Sequence, residues 1–186
     1  MQAVPIFAIL FLAIYAMKRN DILGSNISIW PLDTNVITSI GDTVTHDRDG
    51  KGRPHKGLDI FAPTGSLVFS VSDGKVLRVT DGRKSDREST RAAGLWIDIL
   101  GDDKVIYRYL HLGQSFVESG QRVKVGTRLG DVAKANTSGL GDRPHLHFEM
   151  RESDFTALRQ DYGAPINPVA LLPSLKAKGI KNESLV

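Results

Sequence analysis

The fold is decided by residues 95–112, which read LWIDILGDDKVIYRYLHL. Two runs rich in β-branched and aromatic residues, 95–100 and 105–110, lie on either side of a polar segment that begins with glycine. Runs of this kind joined by a short turn that contains glycine are typical of a β-hairpin. This stretch therefore predicts two neighbouring antiparallel strands.

Short strands of the same kind are expected on both sides of this hairpin. Residues 66–71 and 75–79 flank an Asp-Gly pair and predict a second hairpin. A further strand is expected over 123–129, with Gly126 at a bulge or turn. Because no long 3.6-residue apolar periodicity is present between residues 30 and 150, the sequence predicts an all-β sandwich or barrel.

Two motifs hold three of the five histidines: residues 55–59, which read HKGLD, and residues 145–147, which read HLH. Side chains alternate along a strand, so His145 and His147 share one face and Leu146 faces the core. Imidazole and carboxylate groups suit Zn²⁺, and a catalytic zinc takes three protein ligands and leaves a fourth position for water. Either motif alone is a weak signal, whereas the two together favour a metal site.

Gly57 separates the two candidate ligands of the first motif, His55 and Asp59. The glycine argues against a helix, and a loop that enters a strand over 58–61 is expected instead. For a four-residue gap to supply two ligands to one ion, the backbone must turn sharply, and glycine allows such a turn.

Three further side chains are candidates for the site. A fourth histidine, His111, follows the run 105–110, and strand alternation places Tyr109 on the same face. Glu149 shares a face with the histidine pair by the same parity. Tyr109 and Glu149 are candidates for orienting a ligand, and the commoner interpretation of Glu149 is a surface carboxylate. The fifth histidine, His46, lies in a polar stretch and is expected to be exposed.

Composition narrows the class of protein. Apolar residues make up 41% of the chain and charged residues 24%, as in globular proteins. The absence of cysteine excludes a disulfide framework and a thiolate zinc site. A net charge of +3, from 24 basic and 21 acidic residues, weakly favours an anionic surface such as cell-wall polymer, and no nucleic-acid partner is expected.

Residues 3–17 are apolar without interruption, and Lys18-Arg19 ends the run. A helix of this length covers about 22 Å, short of the roughly 30 Å hydrocarbon core of a bilayer. Three interpretations stay open: an uncleaved membrane anchor, a cleaved signal peptide and a helix buried against protein. The basic pair after the run favours a cytoplasmic C-terminal domain under the positive-inside rule.

Together the motifs resemble the lysostaphin-type, or LytM-like, zinc endopeptidases of bacterial cell walls. That family combines His-x-x-x-Asp, Tyr-x-His-Leu and His-x-His, found here at 55–59, 109–112 and 145–147. The flanking segments that also match the family are 30–32, 57–65, 73–76, 120–126 and 166–168. The resemblance implies a mainly β domain over 29–173, an antiparallel sheet of the duplicated-hybrid-motif type that forms the floor of a groove. A hydrophobic helix at 1–19 and a linker at 20–28 would precede this domain, and a tail at 174–186 would follow it.

The resemblance also implies roles for single residues. One Zn²⁺ per chain would be bound by His55, Asp59 and His147. The catalytic histidines would be His111 and His145, which handle protons while water activated by the zinc attacks the peptide bond.

The implied function is that of a zinc-dependent endopeptidase that hydrolyses peptide cross-links of bacterial peptidoglycan. The implied location is the cell envelope, where the chain would be exported or held at the membrane through residues 3–17. Two alternatives stay open: a wall-lytic component of a phage virion, and a non-catalytic domain that binds the wall or activates another hydrolase. Domains of the second kind typically lack some of the ligands, which are all present here.

Two segments depart from the family pattern. The charged insertion 81–93 stands where many relatives have a short turn, and is interpreted as a solvated loop or as a loop that borders the groove. Residues 142–143 read Asp-Arg where a glycine is usual. Neither segment contains a candidate ligand, so both bear on substrate preference and access to the groove.

Overall fold

In a computed structural model of the chain, ten β-strands of the described residues form one connected sheet. The residues it describes are 27–41, 43–44, 52, 54–137, 143–153 and 162–173. The strands are β1 Ser39–Ile40, β2 Leu58–Phe61, β3 Leu67–Phe69, β4 Gly74–Asp81, β5 Leu95–Gly101, β6 Val105–Ser115, β7 Arg122–Val123, β8 Arg128–Val132, β9 His145–Glu152 and β10 Pro165–Ile166. A six-residue helix, Glu88–Ala93, joins β4 to β5, and a 3₁₀ turn, Pro168–Ala170, follows β10.

Hydrogen bonding sets the strand order β1-β2-β9-β6-β5-β4-β7. Strand β10 also pairs with β9, and β8 pairs with both β6 and β3. The pairings between these strands are antiparallel, which confirms the expected antiparallel, mainly β fold. In this order β2 and β9 are neighbours, so the two histidine motifs come side by side.

The hairpin predicted over 95–110 is confirmed as β5 and β6, in which Leu100 lies opposite Ile106. Alternate residues of β5, among them Ile97 and Ile99, are fully buried in the core. Complete burial of an aliphatic side chain of this size stabilises the fold by about 1.5–3 kcal/mol. The alternation seen in the sequence is therefore the feature that fixes which face of the sheet meets the core.

The second predicted hairpin, 66–71 with 75–79, is wrong. Strand β3 pairs with β8, whereas β4 pairs with β5 and, at its start, with β7. Gly74 begins β4, and a Cβ at this position would lie 2.4 Å from the Leu100 carbonyl oxygen. Gly74 therefore allows the close approach of β4 to β5 and does not form a turn between β3 and β4.

The strand expected over 123–129 is in fact divided between β7 and β8. Gly126 lies in the turn between them with φ of +82°, a left-handed conformation that glycine adopts at little cost. The turn predicted at this glycine is thus confirmed, whereas the single strand predicted over 123–129 is wrong, because the turn separates two shorter strands.

The insertion 81–93 folds back onto the sheet. Its base is closed by the Gly82 amide, which donates to the Gly94 carbonyl at 2.8 Å, and its second half is the six-residue helix. Arg83 Nη1 donates to the Gly113 carbonyl of β6 at 3.1 Å. Because β6 also carries His111, these contacts favour the interpretation of a segment that borders the site over that of a plain solvated loop.

Within the described ranges, no helix is long and apolar enough to cross a membrane. The apolar run 3–17, expected to form an N-terminal helix, lies outside the described residues. The same holds for His46 and for the tail 174–186.

Candidate metal centre

Strands β2 and β9 place the two histidine motifs against each other. In their register Asp59 lies opposite His147, and Phe61 lies opposite His145. Leu146, on the other face of β9, is fully buried in the core, as predicted. The opposite face of β9, here called the histidine face, carries His145, His147, Glu149 and Arg151.

Three side chains bring one ligand atom each to a common point. His55 Nε2 lies 3.2 Å from Asp59 Oδ1 and 3.1 Å from His147 Nδ1. His147 Nδ1 in turn lies 2.7 Å from Asp59 Oδ1. Ligand atoms at 2.0–2.1 Å from a tetrahedral zinc are separated by about 3.3 Å, so these three atoms nearly form one face of such a site.

Hydrogen bonds on the far side of two imidazoles orient the ligand nitrogens. His55 Nδ1 lies 2.9 Å from the Thr43 carbonyl oxygen, and His147 Nε2 lies 3.1 Å from Glu149 Oε1. Because a carbonyl and a carboxylate only accept hydrogen bonds, these nitrogens carry the protons of the neutral imidazoles. His55 Nε2 and His147 Nδ1 then present lone pairs to the common point, the arrangement found in metal-binding histidines. The residues therefore fit a zinc ion.

The electrostatics of the same group favour a cation. Burial raises the pKa of Asp59, but the hydrogen bonds and charges of His147 and His55 lower it far below its ordinary value. Burial lowers the pKa of His147, while the carboxylates of Asp59 and Glu149 raise it to about 9. A positive charge between these two carboxylates is thus stabilised, and a metal ion supplies it when His147 is neutral.

Gly57 packs directly against β9 behind the ligands. A Cβ at this position would lie 2.5 Å from the Phe148 carbonyl oxygen and 2.9 Å from His147 Nε2. The sequence predicts glycine here for a sharp turn, whereas the structure requires it for the close approach of two backbones. Any larger residue would push the first motif away from the second.

His145 lies beside the three ligand atoms. Its Nε2 is 3.6 Å from Asp59 Oδ1, and its Nδ1 is 2.9 Å from the Arg143 carbonyl oxygen. Since the carbonyl can only accept, the proton of the neutral imidazole sits on Nδ1. His145 Nε2 therefore faces the site with a lone pair.

His111 reaches the same site through an irregularity in β6. Its ring centre lies 4.9 Å from that of His145 and 5.8 Å from that of His147. The prediction that Tyr109 shares this face is wrong, because Tyr109 lies opposite Phe148 in the core. The register of β6 against β5 shifts by one residue after Tyr109, and His111 has φ of +66°. This β-bulge turns the imidazole to the histidine face.

The surroundings of His111 keep its imidazole neutral. Burial lowers the pKa of His111 to about 3, and the charges of His147 and His145 act in the same direction. A hydrogen bond to the backbone of Ala93, at the end of the insertion helix, opposes this shift only in part. His111 Nδ1 is buried and has no hydrogen-bond partner within the described part of the chain.

Glu149 is 4% exposed, so its interpretation as a surface carboxylate is wrong. Its Oε1 accepts from His147, while Oε2 accepts from Arg151 Nε at 2.7 Å and from Arg108 Nη1 at 3.2 Å. Burial raises the pKa of Glu149, but the hydrogen bond to His147 and the charges of Arg108 and Arg151 lower it well below its ordinary value. These contacts favour the alternative interpretation, a carboxylate that orients a ligand imidazole.

The charge network continues across the sheet to residues that sequence reasoning missed. Arg108 Nε donates at 2.8 Å to Asp98, which is fully buried and also accepts from Arg78 and from Tyr162. Arg108 lies opposite Asp98 in β5 and opposite Glu149 in β9. Opposite charges at paired positions of otherwise apolar strands are the signal that could have identified this network.

Tyr109, proposed from the sequence as an orienting residue, is not brought to the histidines. It is fully buried in the core, where its phenol oxygen accepts from the Val71 amide at 3.1 Å. Burial raises its pKa above the ordinary value for tyrosine, so the phenol stays protonated. Its contacts are those of a core residue.

A family model matches the part of the chain that forms this site. It is described as peptidase family M23 and matches residues 53–168. These residues include the strands from β2 to β10 and all five side chains singled out as ligands or catalytic histidines.

Similar proteins and structures are found among bacterial peptidases. Peptidoglycan DD-endopeptidase ShyB of Vibrio cholerae is 36% identical over 118 residues, which are 62% of this chain and 25% of that protein. A crystal structure of a zinc-containing peptidase from Vibrio cholerae aligns with a TM-score of 0.58 at 27% identity, covering 81% of this chain and 40% of that one. The catalytic domain of lysostaphin from Staphylococcus simulans, at 24% identity and a TM-score of 0.55, has the same fold over 72% of this chain and 90% of that domain. The chain spans between 20% and 27% of the length of the first curated relatives that it matches.

Proposed function

Because the chain belongs to peptidase family M23, we propose that it is a zinc-dependent endopeptidase that hydrolyses the peptide cross-links of peptidoglycan. One observation carries the proposal: the ligand atoms of His55, Asp59 and His147 lie within 3.2 Å of one another. The second nitrogen of each imidazole is bonded to the Thr43 carbonyl or to Glu149, which orients the ring. The name of the ShyB relative, a peptidoglycan DD-endopeptidase, supports the substrate class. The place of action is then the cell envelope, and membrane association through residues 3–17 stays a prediction.

The proposed zinc ligands are His55 Nε2, Asp59 Oδ1 and His147 Nδ1. A zinc ion held there supplies a Lewis acid that polarises the peptide carbonyl and makes water nucleophilic near neutral pH. The protein contributes the fixed positions of the three ligand atoms. The Thr43 carbonyl and Glu149 keep the two imidazoles from rotating, which maintains their lone pairs in the required direction.

We assign proton transfer to His145. Its Nε2 lies 3.6 Å from Asp59 Oδ1, within reach of groups that react beside the ligand atoms. Nε2 can accept a proton from the attacking water and then deliver it to the leaving amine. The Arg143 carbonyl, which accepts from Nδ1, holds the ring in place and stabilises the imidazolium while the proton is on Nε2.

His111 has a different part in this proposal. Its low pKa makes a fully protonated His111 unfavourable, which argues against His111 as the group that carries the proton. Its Nδ1 has no hydrogen-bond partner among the described residues, so it can form a hydrogen bond with the attacking water. His111 then orients the attacking water while His145 takes the proton.

The test uses the full chain on isolated peptidoglycan. With one equivalent of zinc it should lower the fraction of cross-linked peptides, counted after the glycan strands are digested. This activity should be lost with a chelator, and added zinc should restore it. Mass analysis of the products identifies the bond that is cut. The His145→Ala variant should retain zinc but turn over about 100-fold more slowly or worse, because general acid–base catalysis contributes about 10²–10⁴.

The matched control is His46→Ala, which removes a histidine outside the motifs and should keep full activity. An unchanged fraction of cross-linked peptides after treatment with the zinc-loaded chain would overturn the proposed function. Full activity of His145→Ala, with zinc bound, would overturn the assignment of proton transfer.

A further inference from the structure

Arg143 lies two residues before His145, in a segment that departs from the family pattern. Its side chain is exposed, and its guanidinium carbon lies 3.9 Å from the centre of the Phe61 ring. Its Nη2 donates to Ser39 Oγ at 3.2 Å. A guanidinium stacked on an aromatic ring and bonded at one nitrogen is held in a defined plane.

The surface beneath Arg143 is a row of cross-strand neighbours that ends at the site. Ser39 of β1 lies opposite Phe61 of β2, and Phe61 lies opposite His145 of β9. The ring centres of Phe61 and His145 are 5.2 Å apart. Arg143 extends along this row from one end to the other. Its carbonyl accepts a hydrogen bond from His145, and its guanidinium donates to Ser39.

The positive charge of Arg143 is not matched by a carboxylate of the described residues. Arg108 and Arg151, by contrast, both pair with the buried Glu149. A guanidinium has five N–H donors, of which Ser39 takes one. An exposed guanidinium that is held on an aromatic ring, and whose other donors have no partner among the described residues, suits bidentate binding of a carboxylate.

We propose that Arg143 is a specificity-determining residue that binds a free carboxylate of the substrate peptide, on the β1 side of the bond that is cut. The inference rests on the proposed function, because it concerns the substrate of the same site. It implies that an anionic peptide is favoured over the otherwise identical peptide in which that carboxylate is an amide. Charge-assisted hydrogen bonds of this kind correspond to a preference of about 10- to 100-fold.

The experiment compares two synthetic cross-linked peptides that differ only in a free carboxylate against a carboxamide beside the cross-link. For the zinc-loaded full chain, kcat/KM should be about 10- to 100-fold higher for the acid, with the difference mainly in KM. Arg143→Gln should abolish this preference, and Arg143→Lys should retain part of it, because lysine keeps the charge without the planar fork. Arg122→Gln is the matched control, since Arg122 is exposed on β7 at the far edge of the sheet, and it should keep the preference.

Equilibrium binding of the same two peptides, fluorescently labelled, to the metal-free chain separates this inference from the proposed function. If the wild-type chain binds the acid more tightly than the amide and Arg143→Gln does not, the carboxylate site is supported. This conclusion holds even if neither peptide is cleaved in the presence of zinc, although the lack of cleavage would count against the proposed enzyme function. Equal binding of acid and amide by the wild-type chain, or an Arg143→Gln variant that keeps the preference, would overturn the inference.

Discussion

The two faces of β9 are buried to nearly the same extent, yet they carry opposite kinds of side chain. Leu146, Phe148 and Met150 are completely buried against the core, whereas His147 and Glu149 on the histidine face are 7% and 4% exposed. Apolar burial stabilises a fold by about 1.5–3 kcal/mol per side chain. Burial of a charge instead costs roughly several kcal/mol, unless an opposite charge is paired with it.

In each of the three imidazoles at this site, one ring nitrogen is oriented by a group on the side away from Asp59. His55, His145 and His147 each use one ring nitrogen on a backbone carbonyl or a carboxylate. The second nitrogen of each lies between 2.7 and 3.6 Å from Asp59 Oδ1. Three ring nitrogens gathered around one buried carboxylate oxygen are stabilised when a cation binds between them. The histidine face therefore serves binding, while the other face of β9 provides stability.

The largest expected effect lies on the core face, with Phe148→Ala. Phe148 packs against the rings of Tyr107 and Tyr109, and its removal leaves a cavity in the core. The free energy of unfolding should fall by about 3–5 kcal/mol, measured by urea denaturation, while the protein that stays folded at low temperature still binds one zinc. Phe116→Ala, at a side chain that is 44% exposed, is the control and should change stability little. A loss of zinc without a loss of stability in Phe148→Ala would remove the distinction between the faces.

Gly57→Ala tests the histidine face with the next largest effect. The new Cβ meets the Phe148 carbonyl oxygen at 2.5 Å, and relief of this overlap shifts the first motif at a cost of about 3 kcal/mol. Zinc affinity, measured by competition with a chelator, should therefore weaken about 100-fold, since each 1.4 kcal/mol is about tenfold.

Gly65→Ala is the matched control for Gly57→Ala. Gly65 has φ of +82° and open space around its Cα, so alanine there strains the backbone without pushing any neighbour. Its zinc affinity should stay at the wild-type value. If both variants lose zinc equally, residue 57 is glycine because of its conformational freedom and not because of the close approach of the backbone of β9.

Features that depend on a side chain's own strand could be predicted from the sequence. Period-two alternation was sufficient to place Leu146 in the core and His145 beside His147 on the other face. The strand over 58–61 was predicted with the bounds that β2 has. Such features follow from the local backbone, which repeats every second residue.

Features that depend on a strand distant in the sequence could not be predicted in this way. The bulge that brings His111 to the site breaks the alternation, and it arises from the pairing of β6 with β5. Glu149 looks like a surface carboxylate until the neighbouring β6 supplies Arg108. The Asp-Gly pair at 73–74 suggested a hairpin, but β4 finds a longer partner in β5. Each error concerns which strands become neighbours, a property that no short stretch of sequence contains.

Glu149→Gln is expected to have the smallest effect and gives the sharpest comparison between the faces. Glutamine keeps the size of the side chain and an oxygen that can accept from His147 Nε2, but removes the charge that makes the imidazole a better ligand. Loss of such an outer partner weakens metal binding by about 10- to 100-fold, measurable as the zinc dissociation constant. Glu118→Gln, at an exposed carboxylate on the loop before β7, is the control and should bind zinc as the wild type does.

The same substitution also leaves Arg151 without its carboxylate, so stability must be measured separately on the metal-free chain. If the zinc affinity of Glu149→Gln is unchanged while the free energy of unfolding falls, Glu149 serves the fold alone, as Phe148 does on the other face. If zinc affinity falls while the free energy of unfolding of the metal-free chain is unchanged, the histidine face is organised around the ion. The ratio of the two losses therefore decides which description of Glu149 is correct.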